Sequence, residues 1–321
     1  MIEEYTMKNS QGMEVSYLNY GGIITSLKVR DKKGVLRDVA IGLDRIQGYQ
    51  SNHPYFGAIV GRYANRIGFG RFSLLNKPYQ LPINNGPHSL HGGDKGFTHR
   101  FWKKEQDELY YFSPNGEEGY PGNLKVWVTY SLSEENELII KYRAKTDAPT
   151  PINLTNHTYF NLDPCSQTIL NHKLMINADR YTVVDETLLP TGELRTVKDT
   201  PFDFTHKKQM GKDIHNIPGG GFDHNYVLNK VDGELSLAAI IESEESGIIM
   251  EVLTTEPGVQ FYTGNFLDGT QKGKNRELIK HSAFCLETQH FPDSPNHEDF
   301  PSTILVPNKE FHSQTIYRFK V

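Results

Sequence analysis

Cysteine is nearly missing from this chain: Cys165 and Cys285 are the only two in 321 residues. Two thiols, each in an apolar or loop context, cannot supply a disulfide framework, and they fit a reducing compartment. Long apolar runs are missing as well, so no segment approaches the ~18 residues that a membrane span needs. The stretch Met1-Ile-Glu-Glu-Tyr-Thr6 lacks the basic and apolar regions of a secretory signal. A soluble cytoplasmic protein without a membrane partner is expected. Charge of one sign is nowhere concentrated: the formal net charge is −5 with both signs interspersed. No basic stripe points to nucleic acid, and no acidic tail is present. There is also no βαβ rhythm, no fixed-period repeat and no low-complexity linker.

What the chain has in abundance is strand-forming sequence. Met13–Tyr20 alternates, Gly21-Gly22 interrupts it, and Ile23–Arg30 resumes before Asp31-Lys-Lys-Gly34 turns into Val35–Gly42. Hairpins are predicted for Arg71–Leu75 with Tyr79–Leu81 and for Lys125–Leu132 with Glu137–Thr146. Further strands are predicted over Tyr226–Leu228, Ser236–Ser243, Gly247–Thr255, Val259–Thr263, Thr303–Val306 and Thr315–Val321. Tyr, Phe, Val, Ile and Thr fill these runs, which suits pleated, half-buried surfaces. Helical pattern is confined to Asp44–Tyr49 and to Thr205–Ile214, the latter with Asp203 or Thr205 as N-cap. Many short strands with few short helices predict an all-β fold, one large antiparallel sandwich in which residues 1–321 form a single domain. Long loops at Gly42–Gly70, Asn84–Trp102, Asn156–Thr168, Asp185–Gly221 and His290–Phe300 are the places to look for function.

Those loops and the strand ends beside them hold the polar oddities. Gly61-Arg-Tyr-Ala-Asn-Arg-Ile67 sets Arg62, Asn65 and Arg66 in an apolar, Gly-rich segment, where a guanidinium serves either solvent or a ligand's hydroxyls. His88-Ser-Leu-His91-Gly-Gly93 has a spacing that invites a metal, but no third or fourth ligand lies close by. A hydrogen-bonding loop His or a site His fits equally well. In Asn153-Leu-Thr-Asn-His-Thr-Tyr-Phe-Asn-Leu162 an extended backbone would align Asn153, Thr155, His157 and Tyr159 on one face. That is either a polar pocket floor with aromatic walls or a structural polar strand. Gly219-Gly-Gly-Phe-Asp-His-Asn-Tyr226 delivers Asp223 at a strand start, and Glu256-Pro-Gly-Val-Gln260 exposes Gln260 after a turn. Last comes Ala283-Phe-Cys-Leu-Glu-Thr-Gln-His-Phe-Pro-Asp-Ser-Pro-Asn296. Alternation points Cys285, Glu287 and Gln289 one way and Phe284, Leu286 and Thr288 the other. Glu287 is then either a carboxylate at a cleft mouth or a solvated edge residue. The set holds carboxylate, imidazole, guanidinium and amide groups, with no nucleophilic Ser or Cys motif, no phosphate loop and no zinc spacing. It suits proton shuttling on a hydroxylated small molecule.

Six of these motifs, in order, resemble those of the aldose 1-epimerase (galactose mutarotase) family. They are Gly61–Ile67, Leu90-His-Gly-Gly-Asp-Lys-Gly-Phe97, Asn156-His-Thr-Tyr-Phe-Asn-Leu162, Phe222-Asp-His-Asn-Tyr226, Glu256–Gly264 and Leu286–Asn296. Thr98 departs from the Asp that many members carry there, at a position without a catalytic part. The resemblance implies a galactose mutarotase-like supersandwich with an open cleft for a free aldohexose. It implies that the α and β anomers interconvert by ring opening, with Glu287 as general base and His157 as general acid. His91 would stabilise developing charge, and Asn65, Arg66, Asp223 and Gln260 would hold the sugar hydroxyls, with Tyr159 among the substrate-binding groups. No cofactor and no metal is needed for that chemistry, and a monomer or homodimer is expected. Three rivals are a hexose-6-phosphate 1-epimerase, a sugar-binding module without turnover and a glycoside hydrolase. The first wants extra cations, the second has no use for an acid/base pair, and the third wants two carboxylates.

Overall fold

The computed structural model describes residues 1–51 and 53–321, and among them every helical turn is of the 3-10 type. Nine strands make the larger sheet, in the order Lys103–Glu105, Glu108–Ser113, Leu124–Leu132, Glu137–Thr146, Phe311–Lys320, Ile249–Thr254, Ser236–Glu242, Lys173–Ile176 and Lys208–Gln209. Five make a second sheet, in the order Pro190–Thr196, Ala178–Val184, Asp223–Leu228, Gly258–Tyr262 and Cys285–Gln289. All pairings within both are antiparallel. Alternation then decides the packing. Val126, Val128, Leu138 and Ile140 from the larger sheet share one buried cluster with Val259, Phe261 and Leu286 from the smaller. The sandwich expected from the sequence is therefore present. A four-stranded N-terminal sheet, Glu4–Lys8 to Leu36–Asp38, adds Val15, Tyr17, Leu27 and Val29 to the same cluster.

The hairpins at Arg71–Leu74 with Lys77–Gln80 and Leu124–Leu132 with Glu137–Thr146 lie within a residue or two of expectation. Other expectations need correction. Thr205–Ile214 is not helical. Asp203 accepts from Thr205 N at 3.0 Å and from its hydroxyl at 2.6 Å, an Asx turn in place of a cap. Beyond it, Lys208–Gln209 pairs as an edge strand, and Met210 and Gly211 donate to His172 O and Leu170 O at 2.9 Å each. Tertiary pairing overrides a local helical pattern here. Asp44–Tyr49 shrinks to a 3-10 turn at Ile46–Gln50. The Asp185–Gly221 loop contains the strand Pro190–Thr196, and the expected Gly42–Gly70 loop includes Asn52, which lies outside the described residues.

Across the second sheet, Asn225 faces Gln260 and Gln260 faces Glu287, while Asp223 faces Tyr262 and Tyr262 faces Cys285. These rows occupy the side turned away from the core. The segment after Glu287 is clamped to the rest of the chain. Asn153 accepts from His290 N at 2.9 Å and donates to His290 O at 3.1 Å and to Ala64 O at 3.3 Å. Tyr63 donates to Phe291 O at 3.0 Å. Asp293 returns N to Arg66 O at 2.9 Å and accepts from Gly68 N at 2.9 Å. A contact of 2.6 Å joins His290 Nδ1 to the buried Glu256 carboxylate.

Burial works to raise the Glu256 carboxyl, but His290 holds it below its usual 4.5; burial works to lower His290, but Glu256 holds it above its usual 6.5. The Glu256 contribution is present above pH 4.5 and lost as pH falls through the lowered value. The His290 contribution is whole below pH 6.5 and lost as pH rises through the raised value. Glu256→Gln should therefore cost about 3 kcal/mol near pH 6 in urea denaturation, as expected when one partner of a buried pair is removed. The gap to the parent protein should narrow on the alkaline side. A constant gap across that range would mean that the ion pair is not its source.

Candidate active site

The short pairings Ile59–Val60 with Thr155–Asn156 and Ala40–Ile41 with Tyr159–Phe160 leave His157 and Thr158 between two bridges. His157 is pinned there by its own backbone, donating to Ala58 O at 2.9 Å and accepting from Gly57 N at 3.0 Å. Its ring lies between two tyrosines, with Tyr159 stacked at 5.0 Å and Tyr55 at 5.8 Å between centroids. One ring edge contacts Cys285, with Nδ1 3.5 Å from Sγ, and the other meets Glu287, with Nε2 3.5 Å from Oε1. Burial raises the Cys285 thiol well above its usual value, so it stays protonated.

His91 completes the group. The Gly-Gly pair after it is a steric necessity, since a Cβ at Gly92 would sit 1.9 Å from Gly61 O and its φ is +90°. Nδ1 of His91 accepts from Asn65 N at 3.1 Å, so Nε2 carries the proton and is a donor. Among the described residues, His91, His157 and Glu287 are the one His/Cys/carboxylate set compact enough for a metal, with ligand atoms within 4.8 Å of one another. The Asn65 amide opposes that use. Ligation through Nε2 would put a proton on Nδ1, directly against the N–H of Asn65.

A cavity of 230 Å³ opens over these groups, with Asn65, Arg66, Tyr159 and Asp223 on its wall and Pro54, Tyr55, Leu90 and Phe266 around them. Arg66 donates through Nε to Asn85 Oδ1 at 3.2 Å. Burial, then the charge of Asp223, raises the Glu287 carboxyl well above its usual value, and Arg66 opposes the shift. Burial also raises Asp223, against Arg66 and the amide of Gln260. Burial lowers His157 to about 4 and takes His91 well below 6.5. A polar pocket has thus been built around two carboxyl groups, Glu287 and Asp223, and two neutral imidazoles.

The family model described as Aldose 1-epimerase matches residues 3–318. The chain belongs to the aldose 1-epimerase family. Galactose mutarotase of Rattus norvegicus is 47% identical over 326 residues, covering 100% of this chain and 94% of that protein. Aldose 1-epimerase of Escherichia coli (strain K12) is 37% identical, covering 98% and 94% respectively. The crystal structure of the GalM/aldose epimerase homologue from C. elegans superposes with a TM-score of 0.92 at 33% identity, covering 100% and 99%.

Within this aldose 1-epimerase chain the expected site residues meet at one place, with Gln260 set one step back. Its Nε2 donates to Asp223 Oδ1 at 2.7 Å, and it is not part of the cavity wall. The expected row Asn153, Thr155, His157, Tyr159 is split: His157 and Tyr159 reach the cavity, whereas Asn153 is a backbone clamp and Thr155 is buried elsewhere. Arg62 and Arg66 part in the same way. Arg62 is 2% exposed and donates to Ser113, Pro114 and Pro121. His88 bonds Thr187 at 2.7 Å and Phe69 N at 3.1 Å, away from His91. Thr98, where many family members carry Asp, is fully buried and donates to Ile59 O at 3.3 Å. Tyr55 and Phe266 also line the cavity, outside every sequence motif that marks the site. Tyr55 holds a positive φ of 61°, and Phe266 is 69% exposed at the rim. A single aromatic in a loop carries no periodic signal that would have marked either.

Asp223→Asn removes the charge that, after burial, does most to raise Glu287. The Glu287 carboxyl, followed by its infrared stretch, should then titrate at lower pH. An unchanged titration would mean that burial alone sets the value.

Proposed function

We propose that the enzyme interconverts the α and β anomers of free aldohexoses, D-galactose and D-glucose among them, with Glu287 as general base and His157 as general acid. The observation that carries the assignment is the 3.5 Å approach of His157 Nε2 to Glu287 Oε1 at the floor of a 230 Å³ cavity. Ring opening has to remove a proton from O1 and supply one to O5 of the same sugar. Two titratable groups side by side are suited to serving those two adjacent oxygens. Glu287 takes the O1 proton, His157 delivers its proton to O5, and the C1–O5 bond breaks to give the open aldehyde. Rotation about C1–C2 presents the other carbonyl face. Closure returns the O5 proton to His157, while Glu287 gives its proton back to O1.

Burial favours the neutral pair in the empty cavity, with the shared proton on Glu287. Hydroxyl donors from a bound sugar favour the carboxylate, and the proton then sits on His157, where the reaction needs it. His91, a neutral donor through Nε2, can bond the oxygen on which negative charge develops. Asn65, Arg66, Asp223 and Tyr159 line the space for the sugar, and Gln260 holds Asp223 in place. A neutral sugar suits this wall better than a phosphorylated one. Arg66 is its one guanidinium, Arg62 being occupied within the fold. The free thiols Cys165 and Cys285 support a cytoplasmic setting, and nothing in the mechanism asks for more than a monomer or homodimer.

Glu287→Gln and His157→Asn should each slow polarimetric mutarotation of fresh α-D-galactose or α-D-glucose by at least ~10²-fold while sugar binding persists. Turnover like that of the parent in either variant would sink the assignment. Preference for glucose 6-phosphate over glucose would favour the phosphosugar rival.

A further inference from the structure

Behind the cavity wall lies a cluster of polar atoms that the mechanism above does not use. Asn225 and Gln289 are 1% and 0% exposed, and neither amide oxygen nor amide nitrogen of either side chain has a hydrogen-bond partner in the protein. Oε1 of Gln260 and Oε2 of Glu287 are buried and unpartnered in the same way. Four side chains with six unpartnered buried atoms are far from the usual condition of a protein interior, where such groups are satisfied by protein or by ordered water.

Sheet register places them together. Asn225, Gln260 and Glu287 stand opposite one another on three adjacent strands, where facing Cβ atoms are about 5 Å apart. Gln289, two residues on from Glu287, shares its face and stands opposite Gly258. The missing side chain at Gly258 leaves room beside the Asn225 amide. A Cβ there would lie 2.6 Å from Asn225 Oδ1, 3.1 Å from the Phe291 ring and 3.2 Å from Gln289 O. Phe291, 3% exposed, closes the space.

We propose that Gln289 and Asn225 are positioning residues for Glu287, their amide N–H groups donating to Oε2 through buried water. The inference rests on the proposed base role of Glu287. Held at Oε2, the carboxylate keeps Oε1 turned to His157 and cannot rotate between turnovers. Amide donors also favour the ionised form, against the burial and the Asp223 charge that oppose it. Other groups near this carboxyl are His157 and His91 across the cavity, Asp223 and Arg66 on its wall, Cys285 and Tyr262 on its own sheet, and Tyr159 and Tyr317. The variants below leave all of them in place.

The test is the pH profile of kcat/KM for α-D-galactose mutarotation in Gln289→Met and in Asn225→Leu, both close to isosteric. Loss of a donor to a charged acceptor should move the acid-side limb to higher pH by about one unit. The plateau kcat should fall and KM should change little. A purely structural role would lower stability and activity at every pH without moving the limb, and that result overturns the proposal. If Gln289→Met does not fold, Asn225→Leu carries the test. If neither folds, the amides serve the fold and the proposal falls. A parent protein without mutarotation would defeat the proposed function instead. The inference is then read from the infrared titration of Glu287, which must still move upward in the variants.

Discussion

Removing a carboxylate from water is the costly act around which this molecule is arranged. Glu287 stands on a strand with no solvent on either side: Leu286 points into the sandwich core and Thr288 bonds Thr315 beneath it, while Glu287 itself is 2% exposed. An isolated carboxyl in such a place takes up a proton instead of staying charged. A large two-sheet core supplies the rigidity to keep it there. The clamps at Asn153, Tyr63, Asp293 and Glu256–His290 stop the strand from fraying toward water just beyond it. Without that frame, the pair at 3.5 Å would relax into two solvated side chains of ordinary acidity.

Two sheets of unlike task share the load. The nine-stranded sheet contributes an apolar inner face and no residue of the 230 Å³ cavity, whereas the five-stranded sheet turns Asp223, Tyr262 and Glu287 outward. The remaining cavity groups come from short bridges and turns laid across it. His157 sits between two two-residue pairings, and Asn65 and His91 hold positive φ angles of 65° and 51°. Backbone in that region costs energy and persists only where its surroundings fix it, and such positions gather at functional sites. Here the His91 ring accepting from Asn65 N ties the two together.

Much of this was legible in the sequence. Alternation in Leu124–Leu132 and Glu137–Thr146 marks both strands, and the two faces of Cys285–Gln289 follow from period two alone. The motif order identifies the family and brings Glu287, His157, His91, Arg66 and Asp223 to one place. What sequence patterning could not divide was like from like. Arg62 and Arg66 are the same residue type four positions apart, and His88 and His91 three apart, yet one of each pair goes to the site and the other to the fold. Which goes where depends on contacts more than twenty residues distant, with Ser113, Pro121 and Thr187. The Thr205–Ile214 helix failed for a related reason, since backbone pairing at Met210 and Gly211 outweighed a local pattern.

The direct contact of His157 Nε2 with Glu287 Oε1 has a consequence for proton bookkeeping. In the proposed mechanism the two side chains together own a single transferable proton, and the neutral and charge-separated forms differ only in which partner carries it. Moving between them takes a transfer across that 3.5 Å approach, with no uptake from or release to bulk water. Each anomer leaves the cavity with the hydroxyl proton count it brought, so the pair ends every turnover as it began. On that mechanism the site runs in either direction without waiting for buffer.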